Sequence, residues 1–401
     1  MFVRSSMQRA LIATSQVAAL TCWFSASAVG PALQEVLHTS SEGGVLLTSA
    51  VQLGFVVGAL FSALFNLPDR IPPVILYAVS AAIAAVTTAL VALIAHDLLV
   101  AVLLRLVTGF ALAGVYPVGM KLMASWAAPE RRARALGLLV GALTLGSATP
   151  QLIKGAQVSS WQGVLLIAAA ITAAGGLIAL ISVRPGPNLE SGTVRLDPRY
   201  AIRMFAQRLP RLANLGYLGH MWELYAFWTW LPVFLLESQL SRGAAAGSEV
   251  NYVAFAAIGI AGFGGCLLGG YLADRVGRAP SAVLALVVSG TCCLLSPLIF
   301  GFNLVTVTVF ALIWGAAVIA DSGVFSTALS ETADQRFIGT ALTMQTAAGF
   351  FLTTVSIQIV PLLARATSWR YAFLILAIGP VIGATAMTRF GRHARLQKNS
   401  R

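Results

Sequence analysis

The sequence predicts an all-α membrane protein with twelve transmembrane helices in two halves of six. Three observations carry that reading. The 401 residues are 58% hydrophobic and only 10% charged, with a mean hydropathy of +0.84; a soluble chain of this size could not bury so much apolar surface. Apolar runs repeatedly exceed about 18 residues, the length that reads as a membrane helix. Landmarks also recur at nearly one spacing. Asp69-Arg70 matches Asp274-Arg275 at an offset of 205, Gly109 matches Gly315 at 206, Arg131 matches Arg336 at 205, and Trp161 matches Trp369 at 208. An internal repeat of half the chain follows.

The segments lie, in order, at about 9–33, 43–66, 73–95, 98–125, 132–155, 161–183, 210–236, 250–272, 280–300, 304–328, 338–363 and 369–389, with ends good to a few residues. The first begins like a signal peptide, with Arg4 and Arg9 ahead of an apolar run. That run continues through Trp23 and Phe24 toward Pro31 without a convincing cleavage site, so it is read as a membrane helix. Segments two to six follow at short connections, and the sixth opens on Trp161. Then comes the one long connection, Arg184 to Pro210, in which Pro185, Gly186, Pro187 and Asn188 start a polar, basic stretch. The chain therefore divides into an N-terminal bundle (1–184), a cytoplasmic linker (185–209), and a C-terminal bundle with a short basic tail (210–401).

Net charge is +12, which in a soluble protein would suggest nucleic acid. Its placement argues otherwise. With the N-terminus inside, the outer loops hold only Lys154, Arg242, Arg365 and Arg370, Arg105 and Lys121 fall within a helix, and every other basic residue lies inside. That asymmetry is the positive-inside rule, and it sets both termini in the cytoplasm of a multi-pass inner-membrane protein. Nucleic-acid binding is not expected. The four cysteines, Cys22, Cys266, Cys292 and Cys293, lie in apolar stretches without ligand spacing, so neither a disulfide framework nor a metal site is expected. There is no nucleophile–base pair and no phosphate loop, hence no enzyme, no ATP-driven pump and no cofactor in this reading.

The stretch GGYLADRVGR, ending at Arg278, joins segments eight and nine. Its glycines permit close helix approach and positive φ, Asp274 can cap the next helix, and Arg275 and Arg278 face the cytoplasm. It resembles the loop signature of the major facilitator superfamily, found between the second and third helices and again between the eighth and ninth. The first-half copy, FNLPDRIPP, has lost both glycines but keeps Asp69 and Arg70. LLRLVTGFALAG, with Arg105 and Gly109, resembles the superfamily's Arg-x-x-x-Gly motif, and ERRARALGLLVGALTLGS is similar to its loop into helix five. The exporter motif of that helix is only partly matched, by Gly141, Gly146 and Pro150, without its Gly-Pro. Portions of helices one to five are also similar in general character to bacterial cyanate/nitrate-type anion porters. The resemblance implies two six-helix bundles related by a pseudo-two-fold axis along the membrane normal, with helices one, four, seven and ten lining a central cavity.

Ionisable groups at mid-membrane cost about 2.5–3.5 kcal/mol on insertion scales, so the few present are the candidates. Arg105 lies about 10 Å into helix four at 1.5 Å per residue. It can bind an anionic substrate, hold a carboxylate, or serve the structural role of its motif. Helix seven carries NLGYLGHMWELYAFWTWLP, in which His220 and Glu223 are three apart and share a face. Such a pair suits proton pick-up and release; it can equally be a hydrogen bond that satisfies two buried groups. Trp228 and its aromatic neighbours belong either to a cavity wall or to the interfacial belt. Asp321 of helix ten reads as cavity-lining or as a kink or cap, Tyr116-Pro117 of helix four as a weaker substrate contact. Lys121 and Glu331, near the inner ends of helices four and ten, read as partners across the bundles or as snorkelling residues. Arg105, His220, Glu223 and Asp321 fall on helices that line the cavity in the family.

These readings imply a proton-coupled secondary transporter, expected as a monomer in the lipid bilayer, with a small-molecule substrate and protons as its partners. Substrate contacts are expected from Arg105, Tyr116, His220, Glu223, Trp228 and Asp321, and proton handling from Glu223, His220 and Asp321. Gating is expected from Asp69, Arg70, Asp274, Arg275 and Arg278. The substrate is a small polar organic molecule or anion. The alternative within transport is a drug or metabolite:proton antiporter, supported by the aromatic helix and the two acids. A non-transporting receptor on the same fold has no use for titratable groups at mid-membrane.

Overall fold

The structure is a computed structural model, and it describes residues 2–39, 41–128, 132–158, 160–189, 198–244 and 247–399. The protein is an all-α membrane protein. We label the twelve membrane helices α1 to α12. The first, α1, comes in three pieces, Phe2–Ala19, Ser25–Ala28 and Gly30–Val36. Then follow α2 (Ser41–Leu64), α3 (Pro73–Ile94), α4 (Leu98–Ser125), α5 (Arg132–Gly155) and α6 (Trp161–Ser182). A nine-residue linker helix, Pro198–Ala206, leads to α7 (Arg208–Leu240). The rest are α8 (Glu249–Val276), α9 (Arg278–Ile299), α10 (Leu304–Thr332), α11 (Ile338–Ala366) and α12, whose α-helical part is Ile378–Asn399 after a 3₁₀ turn, Ala372–Ala377.

Ten of these are long and apolar enough to cross a membrane by length and composition. The other two are α1, which is interrupted, and α7, whose hydropathy is lowered by Asn214, His220, Glu223 and its many aromatics. Contacts divide the chain into two compact units, Met1–Thr193 with Ala245–Phe263, and Val194–Ala244 with Gly264–Arg401. The first part of α8 therefore clusters with the first unit, where Thr144 of α5 donates to the Gly259 carbonyl at 3.2 Å.

Inside each unit the same device recurs. Gly54 and Gly58 of α2 lie against the Leu106 and Phe110 carbonyls of α4, so close that a methyl group at either glycine would overlap them. In the second unit Gly265 and Gly269 of α8 lie in the same way against the Ala316 and Ala320 carbonyls of α10. Both are small-x-x-x-small crossings, which replace a hydrophobic drive that lipid cannot supply with close backbone packing. Near each crossing the partner helix breaks. The two halves of α4 are Leu98–Leu112 and Tyr116–Ser125, and those of α10 are Leu304–Ile319 and Ser322–Thr332. Gly114 in the first break and Ala320 in the second stand 206 residues apart, the spacing of the repeat. Pro117 sits in the first turn of the inner half of α4, where its missing N–H costs nothing.

The signature loop closes on Gly277, at φ 96°, which precedes α9; that backbone region favours glycine. Asp274 stays in the last turn of α8 and does not cap α9, whose cap position is Gly277 itself. The linker is tied down at both described ends. Its first residues hold the inner end of α4, with Trp126 donating to the Arg184 carbonyl at 2.7 Å and Asn188 to the Ala127 carbonyl at 3.1 Å. Its helix buries Tyr200 and Met204 on the second unit, where Tyr200 stacks on Phe337 and its hydroxyl accepts the Asp334 N–H at 2.7 Å.

Candidate functional site

In the first unit the break in α1 takes carbonyls out of the regular helical ladder, that of Cys22 keeping bonds from the Ser25 N–H and hydroxyl, and a membrane interior must satisfy them. Arg105, fully buried on α4, does so. Its Nη1 donates to the Cys22 carbonyl at 3.1 Å and to Ser25 Oγ at 3.4 Å, and its Nη2 to the Trp23 carbonyl. The guanidinium therefore holds the unwound turn of α1, and the structural one of the three expected roles is the one its contacts describe. Its Nε has no hydrogen-bond partner among the described residues. Tyr116 opens the inner half of α4, half-buried.

In the second unit three ionisable groups are almost fully buried. His220, Glu223 and Asp321 are each 1% exposed. The i,i+3 spacing on α7 does place His220 and Glu223 on one face, but it does not make them each other's partner. His220 Nδ1 lies 2.8 Å from Asp321 Oδ1, an ion-pair distance without hydrogen-bond alignment. Asp321 occupies the cap position of the inner half of α10, yet its side chain makes no cap bond; it is aimed at the histidine instead.

Glu223 is held by donors from two other helices. Trp314 Nε1 of α10 donates to its Oε1 at 2.6 Å, the Cys293 thiol of α9 to the same oxygen at 3.2 Å, and Ser289 Oγ of α9 to Oε2 at 2.9 Å. A buried carboxylate needs donors, and α9 and α10 offer three, whereas an imidazole one turn away competes for Asp321. Sequence reasoning missed Ser289, Cys293 and Trp314. The first two are one helical turn apart in an apolar helix, a same-face polar pair that could have signalled a partner. Trp314 gave no such signal.

The aromatics of α7 pack against their own unit, Tyr217, Tyr225, Phe227, Trp228 and Phe234 buried and Trp222 and Trp230 half-buried. Trp228 packs on Tyr225 with ring centroids 5.2 Å apart. Trp222 donates to the Ile375 carbonyl and Trp230 to the Ile357 carbonyl.

At the cytoplasmic ends the structure replaces one of the two readings of Lys121 and Glu331, pairing across the bundles, and leaves the snorkelling one open. Each pairs within its own unit, Lys121 with a residue of the α2–α3 connection and Glu331 with the first residue of α9. Lys121, on the inner half of α4, binds Asp69 and also donates to the Pro68 carbonyl at 3.0 Å. Arg278 donates to Glu331, on the inner half of α10, at 2.8 Å. The two latches have opposite polarity, an acid in the α2–α3 connection in one unit and a base at the start of α9 in the other. The short length of these connections explains the pairing, since each partner starts within reach of the helix end beside it. Arg70 is exposed, and the Arg275 guanidinium lies 4.7 Å over the Tyr271 ring. Asp274 is exposed and has a partner of its own. No group of metal ligands occurs among the described residues.

Comparison with known proteins agrees with this architecture. The family model of the Major Facilitator Superfamily matches residues 12–357. No curated protein matches the chain. Among solved structures, the chain is similar to a bacterial homolog of the human lysosomal transporter Spinster in its inward-facing, occupied conformation, with a TM-score of 0.73 at 16% identity, over 96% of this chain and 97% of that one. The unoccupied conformation of such a homolog gives a TM-score of 0.69 at 16% identity, over 97% of each chain. At that identity the likeness speaks for the fold alone. With the family model spanning most of the chain, this protein belongs to the Major Facilitator Superfamily.

Proposed function

We propose that this membrane transporter is a proton-coupled secondary carrier working by alternating access, with Glu223 as the proton carrier and the His220–Asp321 pair beside it. One observation carries the reading: the second unit buries two carboxylates, and among the described residues the basic group paired with them is a histidine, His220 against Asp321. Keeping two acids in such a place is costly, and an uncompensated carboxylate there is a group whose charge can be switched by a proton. The Asp69–Lys121 and Arg278–Glu331 latches, with Arg70, Asp274 and Arg275 beside them, are read as the cytoplasmic gate. The protein is read as a monomer of the inner membrane with both termini in the cytoplasm.

Two substrate classes remain, and different observations favour them. A small polar molecule or anion is supported by Arg105, which keeps one N–H uncommitted at Nε. A cationic drug or metabolite exchanged for protons is supported by the engagement of the other guanidinium nitrogens with α1 and by the two acids. Thermal unfolding of the detergent-purified protein across small anions, cations and drugs at two pH values decides between them, because a ligand that binds only the folded state raises the melting temperature. An anion whose stabilisation is lost in Arg105→Lys, where the planar fork is gone, establishes the first class. Cations whose stabilisation is lost in Glu223→Gln establish the second. Anion stabilisation undiminished in Arg105→Lys removes Arg105 from the binding site.

A further inference from the structure

The carboxylate of Glu223 is surrounded by donors, and that raises a question of chemistry once it takes a proton. An ionised carboxylate only accepts hydrogen bonds, whereas the protonated acid has one O–H to place. Trp314 offers an indole N–H, which cannot accept. Ser289 is different. Its Oγ lies 2.9 Å from Glu223 Oε2 and 3.3 Å from the Leu286 carbonyl of its own helix. The hydroxyl proton therefore has two places to point, and a lone pair faces whichever one it leaves.

We propose that Ser289 is a positioning residue that accommodates both protonation states of Glu223, a hydroxyl rotor on α9. With Glu223 ionised, Ser289 donates to Oε2. When the proton arrives on Oε2, the hydroxyl turns to donate to the Leu286 carbonyl and its oxygen accepts the new Glu223 O–H. One proton is added to Glu223, one Ser289 hydrogen bond is exchanged for another, and no heavy atom moves. Trp314 and Cys293 keep donating to Oε1 throughout. This rests on Glu223 being the proton carrier, and it names the residue that makes the proton reversible there.

The other titratable groups around Glu223 leave that role to Ser289. His220, on the same helix, is engaged with Asp321 of α10. On α9 the neighbours are Cys293, which donates to Glu223 Oε1, and Cys292 beside it. Cys266 of α8 stands near Asp321. In α11 the residues 338–364 and in α12 the residues 372–388 contribute no titratable side chain.

The test is infrared difference spectroscopy of the full-length protein in proteoliposomes between high and low pH, paired with the pH profile of transport. Wild type should show a protonated-carboxyl band that Glu223→Gln removes. Ser289→Ala should displace that band and change the apparent proton affinity of transport by roughly tenfold, the scale of one hydrogen bond to a charged group. Ser289→Thr, which restores the hydroxyl, should return both toward wild type, and Ser289→Cys, a weaker donor, should fall between. An unchanged band and profile in Ser289→Ala overturns the proposal. So does a displaced band that neither hydroxyl nor thiol restores in monodisperse protein, since the effect is then one of packing. If Glu223→Gln removes no band, Glu223 does not titrate and the proton-carrier reading fails, taking the part given to Ser289 with it; a Glu223 band that Ser289→Ala leaves unchanged fails the Ser289 proposal alone.

Discussion

A buried charge is defined by what its nearest atoms donate or accept, and at the residue scale that rule separates groups the chain brings close in sequence. His220 and Glu223 are three residues apart, yet one meets an acid of α10 and the other meets three donors of α9 and α10. The same rule gives Arg105 its carbonyls at the α1 break and gives Asp69 its lysine. The side chains of the Asp69–Lys121 latch are 14% and 23% exposed, so the pair contributes about 0.2–1 kcal/mol rather than the energy of a buried one. Its value is positional, and a charge exchange tests it. Transport by Asp69→Lys should fall, because two cations then face each other, and Lys121→Asp in the same protein should recover most of the lost rate. Equal rates in the single and double variants would mean that the latch plays no part in the cycle. The turn at Asp334 has no such role in pH response. Hydrogen bonds from Arg336 hold its carboxyl down at about 2, against an ordinary value of 3.8. Its support is complete above that ordinary value and is lost only as pH falls through about 2, so pH effects near neutrality arise elsewhere.

Helices in lipid associate through shape, and at the element scale this protein does so through glycines set one turn apart. Gly269 abuts the Ala320 carbonyl at the break of α10, while Gly270, the next residue, has open space where a Cβ would go. Gly269→Leu should therefore destabilise by about 1–3 kcal/mol, the usual result of overpacking, read as a lower melting temperature in detergent. Gly270→Leu should leave it nearly unchanged. Equal effects at both positions would contradict the close crossing. Element positions were legible in the sequence because hydropathy and length decide them: α4 was expected at 98–125 and runs Leu98–Ser125, and α5 was expected at 132–155 and runs Arg132–Gly155. The breaks were only partly legible: a kink at Asp321 was one of two readings of that residue, and those in α1 and α4 were not foreseen. Nothing in the pattern of apolar residues around Gly114 or Asp321 distinguishes an interrupted helix from a continuous one, and the interruption at α1 lies in an unbroken apolar run.

For the whole molecule, the repeat was readable from four landmarks and reappears as paired helix crossings, paired breaks and paired latches inside the two units. The ionisable residues of the site were also readable, because a charge in an apolar run is conspicuous. Their partners were not, because Ser289, Cys293 and Trp314 are ordinary in a membrane helix and acquire meaning only when α9 and α10 fold beside α7. The proposed role of Glu223 joins these levels: proton movement through it would drive transport. Its most direct test is uptake into proteoliposomes under an imposed pH gradient, using whichever ligand the stability screen returns. Wild type should accumulate substrate against its gradient, whereas Glu223→Gln should lose accumulation but still exchange substrate across the membrane. Undiminished uphill transport by Glu223→Gln would contradict the account.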